Sequence, residues 1–219
     1  VLKLFAPINA IAQTYPGFIL LNLFCCFFYS LGISGWTWSG PRNAIFIPAQ
    51  AANVAAVAAG GTAMYLTTSE VCNGIALICL GGMGCTLALN IWCLFSKSKR
   101  LKTLGRVCIA PAIFNINEPL IFGLPIMYNP TLLIPFVVAM PLNGVITYIC
   151  MATGIVSKSF AYGGWNMPAP IAAFIATLDV KAFILAIALI IIDALVYLPF
   201  FKVYEKQKLA EETAVPTEE

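Results

Sequence analysis

The chain has 219 residues, of which 61% are hydrophobic and 10% charged, with a formal net charge of +3 and a mean hydropathy of +0.91. Soluble domains carry about 25% charged residues, so this composition excludes a soluble globular protein and predicts an all-α integral membrane protein in a lipid bilayer. The weak charge gives no indication of a nucleic-acid partner, the absence of histidine excludes a histidine metal site or general base, and no cofactor is expected.

The N-terminal stretch, residues 1–16, mixes apolar side chains with Lys3, Asn9 and Gln13. This pattern predicts an amphipathic segment at the membrane interface. The chain opens at Val1 without the pattern of a signal peptide. We therefore expect it to be part of a longer protein that continues on the N-terminal side.

Two apolar segments follow, separated by a predicted loop. Residues 17–31 are apolar but short, and the Gly/Ser/Trp-rich residues 32–42 predict an unwound segment near the membrane interface. Residues 43–66 are rich in alanine and glycine, which allow helices to approach closely. This second apolar segment is therefore predicted to be buried in a bundle.

A helix-start pattern and a long apolar run come next. Thr67-Thr68-Ser69-Glu70 has the spacing of a capping box, in which the fourth side chain reaches back to the first amide. Residues 71–95 are predicted to form one apolar span. Within it, Gly81-Gly82-Met83-Gly84 indicates tight packing or a kink.

Cysteines are frequent in the apolar segments, and none of them forms a C-x-x-C pair. Buried cysteine behaves as a small hydrophobe, so packing is predicted in preference to disulfides or metal binding. The residues concerned are Cys25, Cys26, Cys72, Cys79, Cys85, Cys93, Cys108 and Cys150.

Basic residues are concentrated in two places, which predicts the topology. Residues 96–106 carry five positive charges and no negative one, and Lys202, Lys206 and Lys208 follow the last apolar segment. By the positive-inside rule both regions face the cytoplasm. An even number of crossings is therefore expected between them.

The second half of the chain contains complete and interrupted apolar segments. Complete spans are predicted over 130–153 and 181–201. Residues 107–127 and 160–178 are interrupted by proline and glycine, and we expect two re-entrant hairpins there, which together mark a substrate site. The acidic end, 205–219, is predicted to be a disordered cytoplasmic tail.

Asn115, Asn117 and Glu118 stand in the middle of one interrupted segment, PAIFNINEPLIFGLPIMYNP. An acidic side chain in hydrocarbon costs about 2.5–3.5 kcal/mol on insertion scales, so it is expected to have a polar ligand or a water-lined cavity. Pro119 disfavours helical backbone at the preceding residue. Glu118 is therefore predicted to lie where a helix stops, and broken helices of this kind form substrate sites in transporters.

These residues also carry a family resemblance. FNINEPLIFGLPIMYNP resembles the NINEP motif of enzyme IIC, the membrane permease of bacterial sugar phosphotransferase systems, and most closely its lactose/cellobiose/chitobiose branch. SKSKRLKTLG precedes the motif and GGWNMPAPIAAFIAT follows it, in the order expected of that branch. The resemblance covers most of residues 17–208.

The resemblance implies that residues 17–204 form the C-terminal substrate-binding transport domain, a helical bundle with two re-entrant hairpins. It implies a multi-pass protein of the bacterial inner membrane that takes up a β-linked disaccharide such as cellobiose, chitobiose or lactose. Enzyme IIB would phosphorylate the sugar at its C6 hydroxyl. Enzyme IIB would itself receive the phosphoryl group from the phosphocarrier protein through enzyme IIA. Dimerisation is implied through an N-terminal half absent from this chain. No catalytic residue is expected in the chain itself.

The candidate substrate-binding residues follow from chemistry and resemblance together. The Glu118 carboxylate can accept hydrogen bonds from two sugar hydroxyls or orient the C6 hydroxyl. Asn115 and Asn117 offer a donor and an acceptor each, although their side chains could instead bond the local backbone of a hairpin tip. Trp165 is expected to stack on the apolar face of a sugar, with an interfacial anchor as the alternative.

Two further candidates come from the resemblance alone. Relatives commonly have Gly-Ile-His-Gly where this chain has Gly32-Ile33-Ser34-Gly35, so Ser34 stands at the position of a sugar-contacting histidine. Tyr29 stands where an aromatic residue, usually tryptophan, is common, and it either stacks on the sugar or packs against the protein.

Two aspartates are predicted from their positions in the sequence. Asp179 is predicted to cap the last span, and Asp193 to face the bundle interior.

Two other functions stay open at this point. In an ion-coupled secondary transporter, Glu118 would carry a proton. In a non-transporting sugar-binding or sensor relative, the change to Ser34 would reflect loss of coupled transport.

Overall fold

The regular structure of this protein is helical. The computed structural model describes residues 10–72, 77–164 and 167–214, and within these ranges it contains α-helices, two 3-10 helices (Gly35–Trp38 and Ile126–Tyr128) and no β-strand. The α-helices are, in chain order, α1 Tyr15–Ser30, α2 Ser39–Ala58, α3 Ser69–Cys72, α4 Leu87–Leu94, α5 Lys99–Ile113, α6 Glu118–Gly123, α7 Pro130–Ala152, α8 Ala169–Thr177 and α9 Val180–Ala214.

Helices α7 and α9 are the two described helices that are long and apolar enough to cross a membrane. They pack against each other, and α9 also contacts α4 and α8 while α7 contacts α1. The core lies between these helices, where Phe18, Phe136 and Tyr197 are fully buried. The prediction of an all-α membrane fold is confirmed, and helices of spanning length and composition lie where complete spans were predicted, over 130–153 and 181–201.

The N-terminal part of the described chain differs from the predicted boundaries. Residues 10–12 are helical, and α1 begins at Tyr15 because the Thr14 hydroxyl accepts a hydrogen bond from the Gly17 amide and Pro16 suits a first turn. The amphipathic segment predicted over 1–16 falls mostly on residues 1–9, which lie outside the described residues.

The loop predicted over residues 32–42 is wrong for its second half. A 3-10 helix fills Gly35–Trp38, and α2 already begins at Ser39. Pro41 lies in the first turn of α2, where an amide hydrogen would have no acceptor within the helix. The helix predicted over 43–66 then ends at Ala58, because Gly60 adopts a φ of +81°.

The capping box at Thr67-Thr68-Ser69-Glu70 is also wrong. The Thr67 amide donates to the Gln13 side chain at 2.9 Å, so it is not available to Glu70. The Glu70 carboxylate instead accepts from the Gly163 amide at 2.9 Å. This contact attaches the start of α3 to the extended stretch before α8.

The single span predicted over residues 71–95 is broken in the structure. Helix α3 ends at Cys72, and α4 does not begin until Leu87. Between them the glycine turn, which we define as residues 81–86, contains four residues with positive φ: Gly81, Gly82, Gly84 and Cys85. A helix cannot pass through such a run, so the segment folds back.

Both segments predicted to be interrupted are interrupted. Helix α5 ends at Ile113, and α6 begins at Glu118 and packs back against α5. In the second segment, the amides of Phe160 and Ala161 both donate to the carbonyl of Ala176, so the extended stretch runs beside α8. The fold therefore contains the two returning segments that the sequence predicted.

The acidic end predicted to be disordered is helical as far as Ala214. The Glu205 carboxylate accepts from the Ser96 hydroxyl and the Lys97 amide, both at 2.6 Å. Glu212 accepts from the Ser98 hydroxyl at 2.6 Å and from the Arg100 amide at 3.0 Å. These carboxylates satisfy amides at and before the start of α5 and so hold the last turns of α9 against it.

We expect Glu212→Ala to release the end of α9. Its hydrogen bonds, that from Ser98 foremost, hold the pKa of Glu212 below its ordinary value, so the attachment is present at neutral pH and lost as pH falls through that lowered pKa. Trypsin should then cleave at Lys206 and Lys208 about fivefold faster at neutral pH. Glu211→Ala is the control, because among the described residues the Glu211 carboxylate forms its ion pair with Lys208 and makes no bond to α5; equal cleavage of the two variants would contradict the prediction.

Two smaller predictions are confirmed. Asp179 accepts from the Lys181 amide at 2.9 Å and so caps α9, while its other oxygen accepts from Ser157. All eight cysteines are free thiols, and all but Cys150 are buried. Packing therefore accounts for them.

Candidate functional site

The break between α5 and α6 is held by the glycine turn. The buried Asn117 amide nitrogen donates to the carbonyl of Met83 at 2.8 Å and to the Thr86 hydroxyl at 3.0 Å. That hydroxyl in turn donates to the carbonyl of Gly81 at 2.9 Å. Asn117 thus orders both the break and the turn, and its partners lie more than 30 residues away instead of in the local backbone.

Asn115 joins three segments. Its side-chain oxygen accepts from the Gly81 amide at 2.9 Å, and its nitrogen donates to the carbonyl of Met167 at 3.0 Å. Met167 belongs to the stretch that leads into α8, so the first interrupted segment touches the second here. The residue adopts a φ of +63°, a conformation that asparagine tolerates better than most residues. Both polar groups of the side chain are therefore engaged within the protein.

Glu118 differs from both asparagines. It is the first residue of α6, so it lies at the break but at the start of a helix, and the prediction that a helix stops there is wrong. Proline at the next position suits the first turn of α6. The side chain is exposed, and its carboxylate has no hydrogen bond or ion pair with any part of the chain that the structure describes.

Tyr29 completes the neighbourhood of Glu118. Its ring stacks on Phe136 with centroids 5.9 Å apart, and its hydroxyl lies within electrostatic range of the Glu118 carboxylate. Gly35 packs between the Tyr29 ring and the Met83 side chain, so no larger residue fits there without movement. The end of α1 and the residues after it therefore approach the same turn that holds Asn117.

The structure brings most of the predicted residues together around one turn. Tyr29, Asn115, Asn117 and Glu118 are linked through the glycine turn, and of these four Glu118 alone keeps a charged group free. Trp165 lies outside the described residues, although Met167, two positions later, is bonded to Asn115. The chemistry on offer is recognition of hydroxyl groups by a carboxylate and an aromatic ring.

Sequence reasoning missed the supporting role of the glycine turn. Met83 and Thr86 hold Asn117, and Gly82 leaves the space in which Asn117 lies, since a Cβ on Gly82 would stand 2.5 Å from the Asn117 side-chain carbon. The spacing of the three glycines was the available signal. It indicated close packing but not the partner.

The phosphotransferase system EIIC family model matches residues 1–139 of this chain, which include the NINEP motif. This chain belongs to the EIIC family of the phosphotransferase system. The interrupted helices and the polar break described above are therefore features of an EIIC permease fold.

Individual relatives agree with the family. The chain is 46% identical over 143 residues to the cellobiose-specific EIIC component of Geobacillus stearothermophilus, covering 64% of this chain and 32% of the relative. It is 34% identical over 212 residues to the lactose-specific EIICB component of Streptococcus mutans, covering 95% of this chain and 37% of the relative. The chain thus spans well under half the length of these two EIIC relatives.

A solved EIIC structure has the same fold. The crystal structure of ChbC, the IIC component of the N,N'-diacetylchitobiose-specific system, superposes with a TM-score of 0.89 at 32% identity. The match covers 95% of this chain and 49% of ChbC. The returning segments and the broken span therefore belong to an established transporter architecture.

Ser34, the residue that the resemblance placed at a histidine position, lies just before the first 3-10 helix. Its hydroxyl oxygen accepts from the Trp36 amide at 3.3 Å and so begins the 3-10 helix, and the residue is exposed. Gly35, the next residue, packs on Tyr29 and Met83. Ser34 therefore lies at the edge of the site, where its hydroxyl is hydrogen-bonded to the backbone.

Proposed function

We propose that this chain is the substrate-binding transport domain of an EIIC permease that takes up a β-linked disaccharide. The observation that carries the proposal is the free carboxylate of Glu118 at the break between α5 and α6, held in place by the two engaged asparagines. Charge-assisted hydrogen bonds from sugar hydroxyls to such a group are about twice as strong as neutral ones.

The sugar class rests on chemistry and on the relatives. Tyr29 offers an aromatic face and Glu118 an acceptor, the two elements with which proteins bind carbohydrate. The similar proteins are named for cellobiose, lactose and N,N'-diacetylchitobiose, all of them disaccharides. We propose direct sugar contact for Glu118, Tyr29 and Trp165, a lesser contact for Ser34, and supporting roles for Asn115 and Asn117.

The phosphoryl step is assigned to partners. We propose that enzyme IIB phosphorylates the arriving sugar at C6, as part of a relay through enzyme IIA and the phosphocarrier protein; the fused EIICB name of the Streptococcus mutans relative supports this pairing. Within this chain Glu118 orients the C6 hydroxyl or takes its proton. Homodimer formation through the other half of the permease is part of the same proposal.

Topology supports a cytoplasmic docking side. Glu205 contacts the Lys97 amide, so the two basic regions lie at the same end of the molecule. By the positive-inside rule that end, including the C-terminus, faces the cytoplasm. The transport domain is then residues 17–204, with the end of α9 extending it toward the partner.

Uptake of labelled β-disaccharides by cells carrying the protein, with and without the cognate enzyme IIB, tests this function. We expect uptake that requires enzyme IIB and yields sugar phosphorylated at C6. Uptake that is driven by a proton gradient without enzyme IIB would overturn group translocation and make Glu118 a proton carrier. Sugar binding without any uptake would instead support a sensor.

A further inference from the structure

A second polar cluster lies inside the bundle, between α7 and α9. Asp193, Asn143 and Thr147 are all fully buried, with exposed fractions of 0%. The Asn143 amide nitrogen donates to one Asp193 oxygen at 2.9 Å. Asp193 thus faces the bundle interior, as predicted, and Asn143 is the partner that the sequence did not identify.

The cluster leaves three buried oxygens without a partner among the described residues. They are the second Asp193 carboxylate oxygen, the Asn143 amide oxygen and the Thr147 hydroxyl oxygen. Asn143 and Thr147 are four residues apart on α7 and so lie on one face, about 6 Å apart. Asn143 is bonded to Asp193, and Thr147 lies one helical turn away on the same face of α7.

The charge of Asp193 is also unbalanced. No lysine or arginine in the described ranges forms an ion pair with it, and the Cys85 thiol and the Tyr197 hydroxyl are among its titratable neighbours. A buried carboxylate in a membrane protein is expensive unless it is paired or neutralised. Residues with this cost and with unsatisfied acceptors beside them are typical of a ligand site.

We propose that Asp193, Asn143 and Thr147 bind a single Na⁺ ion between α7 and α9. Carboxylate, amide and hydroxyl oxygens are the hard ligands that such a cation prefers, and one carboxylate balances one positive charge. A proton on Asp193 would balance the charge, but its single O–H could bond to only one of the other two oxygens. A divalent ion would leave a net positive charge in the core.

The proposed ion site is joined to the sugar site through the glycine turn. The Tyr197 hydroxyl, one helical turn after Asp193, donates to the carbonyl of Gly84 at 2.6 Å. The Asn143 nitrogen also lies 3.2 Å from the Cys85 sulfur. Because the same turn holds Asn115 and Asn117, an ion beside Asp193 stabilises the support of Glu118.

The thermal stability of the purified protein in detergent, without sugar, tests the site. About 0.1 M NaCl is expected to raise the unfolding midpoint by about 3 °C or more above the same concentrations of KCl and choline chloride. Thr147→Val and Asp193→Asn are expected to lose this difference. Thr153→Val, at the C-terminal cap of α7, is the control, because the Thr153 hydroxyl bonds to the Ile149 carbonyl of that helix.

Three outcomes would overturn the proposal. Stability that varies with pH but is the same in all three salts would place a proton on Asp193 instead. A Na⁺ effect that persists in Thr147→Val would place the ion elsewhere, and this variant decides the question if Asp193→Asn does not fold. An unfolding midpoint that does not depend on salt at all would show that no ion binds at this site. Since no sugar is present, none of these outcomes depends on the transport proposal.

Discussion

Glu118→Gln is expected to weaken sugar binding by about 30-fold or more, through loss of two charge-assisted hydrogen bonds at about 1 kcal/mol each. The change keeps the size of the side chain and removes its charge. The helices should stay folded, because the Glu118 side chain is exposed and makes no hydrogen bond with the described residues. Calorimetric titration of the purified permease with cellobiose, lactose and chitobiose measures the effect.

Glu211→Gln is the control for this experiment. It makes the same chemical change at an exposed carboxylate that forms an ion pair with Lys208, near the far end of α9. We expect sugar affinity equal to that of the parent protein. If Glu118→Gln also bound sugar with unchanged affinity, the carboxylate would not be the recognition group and the proposed site would be refuted.

Gly82→Ala is expected to destabilise the protein and to damage the site together. Gly82 has a φ of +97°, and an added Cβ would lie 2.5 Å from the Asn117 side-chain carbon. Asn117 cannot move away without losing its bonds to Met83 and Thr86. Unfavourable backbone of about 1–2 kcal/mol and overpacking of about 1–3 kcal/mol then add, for a loss of about 2–5 kcal/mol.

Gly154→Ala separates the two contributions. Gly154 has a φ of +76°, but a Cβ there would meet nothing within 4 Å. It should therefore show the backbone cost alone, and its unfolding midpoint should lie at least about 4 °C above that of Gly82→Ala. Equal midpoints would mean that the glycine turn shifts to accommodate the added Cβ beside Asn117, contrary to the packing described above.

The sequence was informative wherever a local pattern decided the structure. Proline and glycine predicted both interrupted segments, and the apolar runs predicted α7 and the start of α9 within a few residues. The polar stretch around Glu118 predicted the break at which the candidate site lies. In each case the determining residues are neighbours in the chain.

The errors arose where distant residues decide the structure. Residues 71–95 have the composition of one span, but positive φ at the glycine turn is stabilised by Asn115 and Asn117, more than 30 positions later. The acidic end of α9 resembles a disordered tail until Ser96 and Ser98 provide donors for its carboxylates. No window of local sequence contains such pairs.

The length of α9 has a mechanical consequence. Its 35 residues extend over about 52 Å, whereas the hydrocarbon core is about 30 Å thick, so about 20 Å projects beyond the membrane. Glu205 and Glu212 fasten this projection to the start of α5. The helix therefore converts a small rotation into a large displacement: a tilt of the domain by about 10° moves its far end by about 9 Å. A protein resting on that end would sense the tilt of the proposed sugar-binding domain through this helix, without touching the sugar.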